Sequence, residues 1–276
     1  MNKSLFIKQI RVSGLITFGM IAIWMLLNTF LSGSVWDGMT LSNSALKVEY
    51  CEFNNVSDFF HQKLNTYSNL AYFFFGVLVI QIGLNDFKKN TELPLNRLER
   101  FPALSVLFGF CLIYLSFGSA FFHASLTYLG QRVDMNGTYS ISIVLFGIAL
   151  YSVFNKFEFS DQFKKVWIIL LILTVLAFIK IALLISSTKF LSGIILIQSI
   201  LVLIIYLQNR KEKSLILAIS GLVLMIIAVR IRTLDVQKVG CDPHSFFQGH
   251  SIWHLLTALS SFTSYAFFRF SKKRFS

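Results

Sequence analysis

Long apolar runs alternate with short polar segments along almost the whole chain. Runs able to cross a hydrocarbon core of roughly 30 Å fall at about 13–32, 66–85, 101–122, 136–154, 166–185, 190–208, 214–232 and 250–269. The pattern predicts an all-α integral membrane protein in which an N-terminal helix precedes a bundle of seven. The polar segments 33–65, 123–135, 186–189 and 233–249 then share one side of the membrane.

Lys3, Lys8 and Arg11 precede the first run, as they would in a signal peptide. The run is long for such a segment, and Leu31-Ser32-Gly33-Ser34 is a mediocre cleavage site, so a retained anchor helix is the expectation. The organisation reads as a cytoplasmic tail and anchor over 1–35, one helical domain over 36–270 and a basic tail over 271–276. No internal repeat or low-complexity tract interrupts it.

Composition sharpens this picture. Of 276 residues, 55% are hydrophobic and only 14% charged, too few to cover a soluble domain of this length. The net charge of +12 sits in short clusters between apolar runs rather than in a basic domain, which argues against a nucleic-acid partner. With the N-terminus inside, only Lys47, Lys63, Arg132, Lys189 and Lys238 fall in outer segments; Lys180, Arg230 and Arg232 lie in or at the ends of spans. Every other Lys and Arg is interior, so both termini are expected in the cytoplasm.

Cys51 and Cys241 lie in outer segments, the minimum for a disulfide in an oxidising compartment; two free thiols are the alternative. Cys111, inside a span, reads as a small core residue.

The candidate chemistry lies where polar residues meet one end of the spans. Ser119 and His123 close the third run, Asp134 precedes the fourth, and His250 and His254 open the last. All five fall at the same depth. A spacing of four residues puts two side chains on one helical face, so both imidazoles of His250-x3-His254 can reach one zinc. With His123 they make a three-nitrogen site with an open position, the kind that lowers the pKa of water towards about 7 and polarises a carbonyl. Asp134 is placed to shuttle a proton, and Ser119 to hydrogen-bond the attacking water or the developing oxyanion. His61 and His244 read as interfacial hydrogen-bonding residues. Lys180 is expected to snorkel or face a cavity, and Arg230 and Arg232 to anchor at the interface, meet a lipid headgroup or pair with Asp235.

Four stretches carry a resemblance: Glu49-Tyr50-Cys51-Glu52-Phe53-Asn54, Asn65-Thr66-Tyr67-Ser68-Asn69, Gly118-Ser119-Ala120-Phe121-Phe122-His123 with Asp134, and His250-Ser251-Ile252-Trp253-His254. In order and spacing they resemble the alkaline ceramidases, part of a group of seven-helix membrane metallohydrolases that includes the adiponectin receptors. The resemblance spans about residues 36–265. It implies hydrolysis of the ceramide amide to a sphingoid base and a fatty acid, with a lipid substrate entering from the bilayer. It also implies zinc on His123, His250 and His254, assisting roles for Ser119 and Asp134, and a Cys51–Cys241 disulfide. A calcium site is implied on Glu49, the Tyr50 carbonyl, Glu52, Asn54 and Gln62. There the chain departs from the animal enzymes, which have glutamate at Gln62 and aspartate at Glu49. The extra N-terminal helix is a second departure and resembles a bacterial member, with its site on the periplasmic or outer side of the inner membrane. Two other readings stay open: a hydrolase of another lipid amide or ester, and a non-catalytic receptor with structural zinc. Oligomeric state is not legible.

Overall fold

The computed structural model describes residues 3–88, 96–154 and 156–270. The expected basic tail, 271–276, and Lys89 lie outside the described residues. The chain forms α1 (Lys3–Phe30), α2 (Asn43–Leu46), α3 (Lys63–Ser68), α4 (Leu70–Asp86), α5 (Pro102–Ser125), α6 (Tyr128–Val153), α7 (Asp161–Ile181), α8 (Ser187–Gln208), α9 (Leu215–Val236) and α10 (Gly249–Arg269). Among the described residues the only β pairing is two isolated bridges, Ser32 with Asp58 and Leu41 with Thr127. The protein is an all-α membrane bundle.

Among the described residues, six helical stretches are long and apolar enough to cross a membrane: Lys3–Phe30, Lys63–Asp86, Pro102–Ser125, Tyr128–Val153, Ser187–Gln208 and Leu215–Val236. α7 and α10, expected as spans, are not among them. Lys165 and Lys180 shorten the uninterrupted apolar stretch of α7, and α10 carries a polar stripe that includes His250, His254, Thr257 and Ser260. Leu15, Phe18, Leu196, Ile216 and Ile226 face outward from α1, α8 and α9. In water these would form a large unsatisfied patch; lipid accepts them.

Small residues draw the central helices together. A Cβ on Gly109 of α5 would lie 2.8 Å from the Gly76 carbonyl of α4, so the two backbones touch only because both positions are glycine. Gly137 of α6 meets Leu115 of α5 in the same way. α1 docks on α4 through polar groups: Gln9 Nε2 donates to the Gln81 carbonyl (3.2 Å), and Gln81 Nε2 donates to Ser13 Oγ (2.8 Å). Near the other end of α1, Trp24 packs against Phe60, Tyr67 and Phe117.

Two loops expected to be long are shorter. α5 runs on through Ser125 and α6 begins at Tyr128, so 123–135 collapses to a tight turn at Leu126 and Thr127. Leu126 adopts a left-handed conformation (φ 53°), and the Thr127 side chain caps α6 by accepting from the Gly130 amide at 3.1 Å. Asp134 therefore lies in the second turn of a helix, not at a loop mouth. α9 likewise extends to Val236. Apolar runs ended at the first polar side chains, but the helices continue because those side chains face inward.

Lys180 is exposed in the last turn of α7, where its charge complements the helix C-terminus. Cys111 is free and buried. At the end of the bundle remote from the histidines, Arg269 forks onto Asp86 with two 2.6 Å contacts and reaches Glu99 at 3.1 Å. This fully buried cluster ties the end of α10 to the end of α4.

Candidate metal centre and adjoining cavity

His123 lies in the last turns of α5, and His250 and His254 in the first turns of α10. Antiparallel packing brings these ends together. The ring centroids stand 4.9 Å (His123–His250), 5.1 Å (His123–His254) and 4.5 Å (His250–His254) apart. One potential ligand nitrogen from each lies within 4.8 Å of the others, and all three residues are buried.

The hydrogen bonds around these rings set their tautomers. Gln62 Oε1, which can only accept, lies 2.6 Å from His123 Nδ1, so Nδ1 carries the proton. Ser68 donates its own proton to the Asn65 carbonyl (2.9 Å) and must therefore accept from His254 Nδ1 (2.7 Å). Both histidines are left with a bare Nε2. His123 Nε2 and His250 Nδ1 are buried without a hydrogen-bond partner among the described residues, a cost that a metal ion would remove. The donor set fits a divalent cation of the kind imidazole binds.

The supporting residues come from the segment joining α1 to α4. The amides of His61 and Gln62 donate to the Ala124 and His123 carbonyls (both 3.1 Å), pairing this strand of chain with the open C-terminal end of α5. Tyr50 stacks on His250 with centroids 3.8 Å apart. Cys51 is bonded to Cys241, joining this segment to the loop before α10. The Asp235 carboxylate receives the Cys51 amide (3.2 Å) and the amides of Gly249 and His250, and so holds the start of α10.

Asp134 and Ser119 face the same cavity as His250 and His254, and the Ser119 hydroxyl interacts with the Asp134 carboxylate. The cavity has a volume of about 570 Å³ and runs between α6, α8, α9 and α10. Tyr50, Tyr72, Arg232 and Trp253 surround its polar head; Leu145, Ile195, Val202 and Leu222 line its depth.

Several expectations need correction here. Arg232 does not pair with Asp235: its guanidinium contacts Glu49 Oε1 at 3.1 Å, because Asp235 is taken by backbone amides. Arg230 is exposed. His61, expected to form hydrogen bonds, is buried with both ring nitrogens unpartnered among the described residues, and desolvation lowers its pKa. His244 is exposed and packs on Phe53 at 5.0 Å. Gln62, Ser68 and Asp235 were not read as supports for the histidines or for the start of α10, since sequence spacing carries no sign of contacts made across the fold.

The residues expected to bind calcium already satisfy one another. Glu49 accepts from Arg232 and from the Ser44 hydroxyl (2.5 Å). Glu52 accepts from the amides of Leu64 (2.6 Å) and Asn65 (2.8 Å), and Asn54 Oδ1 from Gln62 Nε2 (2.7 Å). The Tyr50 carbonyl accepts from the Lys238 ammonium. Calcium takes six to eight oxygens in roughly a single shell. As arranged, with an amide NH₂ and an ammonium among them, these residues do not fit that ion.

A family model described as Ceramidase matches residues 42–274. The chain belongs to the ceramidase family. Membership implies a hydrolase of amide bonds with a lipid substrate, and the three-histidine cluster agrees with the family's general dependence on a metal. The matched region begins after α1, so the docked N-terminal helix lies outside the part shared with the family. Comparison with curated proteins gave no match.

Proposed function

We propose that this chain is a zinc-dependent membrane amidase that cleaves ceramide or a related sphingolipid into a sphingoid base and a free fatty acid. One observation carries the reading: a cluster of three buried imidazoles stands at a cavity that His250, His254, the Asp134 carboxylate and the Ser119 hydroxyl line together with many aliphatic side chains. A volume of about 570 Å³ falls within the range of ligand sites.

Zinc, when bound by His123, His250 and His254, supplies Lewis-acid activation of a water molecule and of the amide carbonyl. Asp134 accepts a proton from the attacking water as its oxygen bonds to the carbonyl carbon. It then returns the proton to the amide nitrogen as the C–N bond breaks, leaving a carboxylic acid and an amine. Ser119 orients the Asp134 carboxylate by donating to it and, once Asp134 carries the water's proton, is free to donate instead to the carbonyl oxygen as charge gathers there. Apolar side chains from α6, α8 and α9 receive the hydrocarbon tail.

We place the site at the extracytoplasmic side, with α7 and α10 also crossing, so that eight spans leave both termini in the cytoplasm. Support comes from the basic residues Arg97, Arg100, Lys164 and Lys213, which gather with Arg269 at the end of the bundle away from the histidines.

The test is mass-spectrometric detection of products from matched amide and ester lipids incubated with the purified protein. Release of sphingoid base, falling by about 10²–10⁴ in Asp134→Asn while zinc is retained, is the expected result. Cleavage of the ester alone would reassign the bond. Zinc without turnover on any lipid would leave a receptor with structural zinc.

A further inference from the structure

We infer that the cation ordering the outer loops of this chain is the Lys238 ammonium rather than calcium, and that the protein is calcium-independent. Lys238 reaches from the loop after α9 to the Tyr50 carbonyl, one of the oxygens a calcium ion would need. Arg232 brings a second positive charge onto Glu49. A divalent ion entering here would meet two fixed cations and would have to displace the ammonium from its carbonyl.

Gln62 closes the remaining opening. Its carbonyl is committed to His123 Nδ1, which turns its NH₂ towards Asn54 Oδ1. A glutamate could offer one oxygen to each side; glutamine offers a donor to one of them.

The backbone gives independent support. Lys238 occupies the left-handed position just past α9 (φ 59°), with its amide on the Asp235 carbonyl and the Val239 amide on the Leu234 carbonyl, both at 3.0 Å. That position strongly favours glycine, so a lysine there carries a conformational cost that its side-chain contact offsets. Through Tyr50, which stacks on His250, the ammonium also steadies one wall of the metal centre. Lys238 is therefore a positioning residue. The inference concerns the loop cluster alone and holds whichever lipid the cavity accepts.

The experiment measures melting temperature and calcium-binding heat on full-length protein in calcium-free buffer, with zinc content verified before calcium is added. The wild type is expected to show no binding heat and no calcium-dependent shift in melting. Lys238→Gly, which relieves the backbone, is expected to melt several degrees lower, and Lys238→Arg to recover most of the loss. Saturable calcium binding with a rise in wild-type melting temperature would overturn the inference. So would a Lys238→Gly variant melting at or above the wild type.

Discussion

At the scale of single residues, the imidazoles are set by what lies behind them. Gln62 and Ser68 hold His123 and His254 in the tautomer that exposes Nε2, and partners of this kind typically tune metal affinity by about 10–100-fold. Gln62→Leu should weaken zinc by a factor in that range while leaving helicity unchanged, as measured by competition with a chromophoric chelator. The histidines themselves were legible because i, i+4 spacing is a local signal. Gln62 was legible only through resemblance, which pointed it at calcium rather than at His123; its contact depends on the chain folding back onto α5. Glu52 adds a pH dependence. Burial raises its carboxyl from 4.5 to about 7, against the pull of the two amides of the first turn of α3 that donate to it. Because the folded value exceeds the unfolded one, its contribution is fully present below about 4.5 and is lost as pH rises through about 7. Unfolding stability measured across this window should decline more steeply in the wild type than in Glu52→Gln; equal slopes would contradict the assignment.

At the scale of elements, polar side chains at helix ends misled the boundaries. Ser119, His123 and Asp134 interrupt the apolar pattern, yet α5 and α6 continue through them because Ser119 and Asp134 face a shared cavity and His123 the buried histidine cluster instead of water. The same inward stripe keeps α10 outside the most apolar class while making it the wall of the site. The segment between α1 and α4 was read only as a long outer polar stretch, 33–65. It holds α2, α3 and the Tyr50 stack, none of which has a long hydrophobic period to announce it. The Cys51–Cys241 bond pins this segment to the start of α10 across 190 residues. Its reduction should destabilise the protein by about 2–4 kcal/mol, seen as a lower melting temperature in reductant. The Cys51→Ser/Cys241→Ser variant should melt at that lower temperature with or without reductant.

For the whole molecule, the two ends have different tasks. One gathers the histidines, the disulfide and the paired loops. The other is locked by the buried Arg269–Asp86–Glu99 cluster and surrounded by lysines and arginines. The placement of charge gives the orientation proposed above, and the membrane class was legible from composition. The cavity between α6, α8, α9 and α10 was not, because enclosed volume arises only from how the helices splay. Orientation can be checked with single cysteines. A membrane-impermeant thiol reagent applied to intact cells should label F246C, while K211C should react only after lysis; the reverse pattern would invert the topology.

The proposed chemistry requires three imidazoles to close around one ion, and zinc-edge X-ray absorption on the purified protein tests this most directly. It predicts one zinc per chain with three imidazole nitrogens at about 2.0–2.1 Å, lost in His254→Ala. A protein without zinc, or one whose zinc is bound by sulfur or by fewer imidazoles, would contradict it.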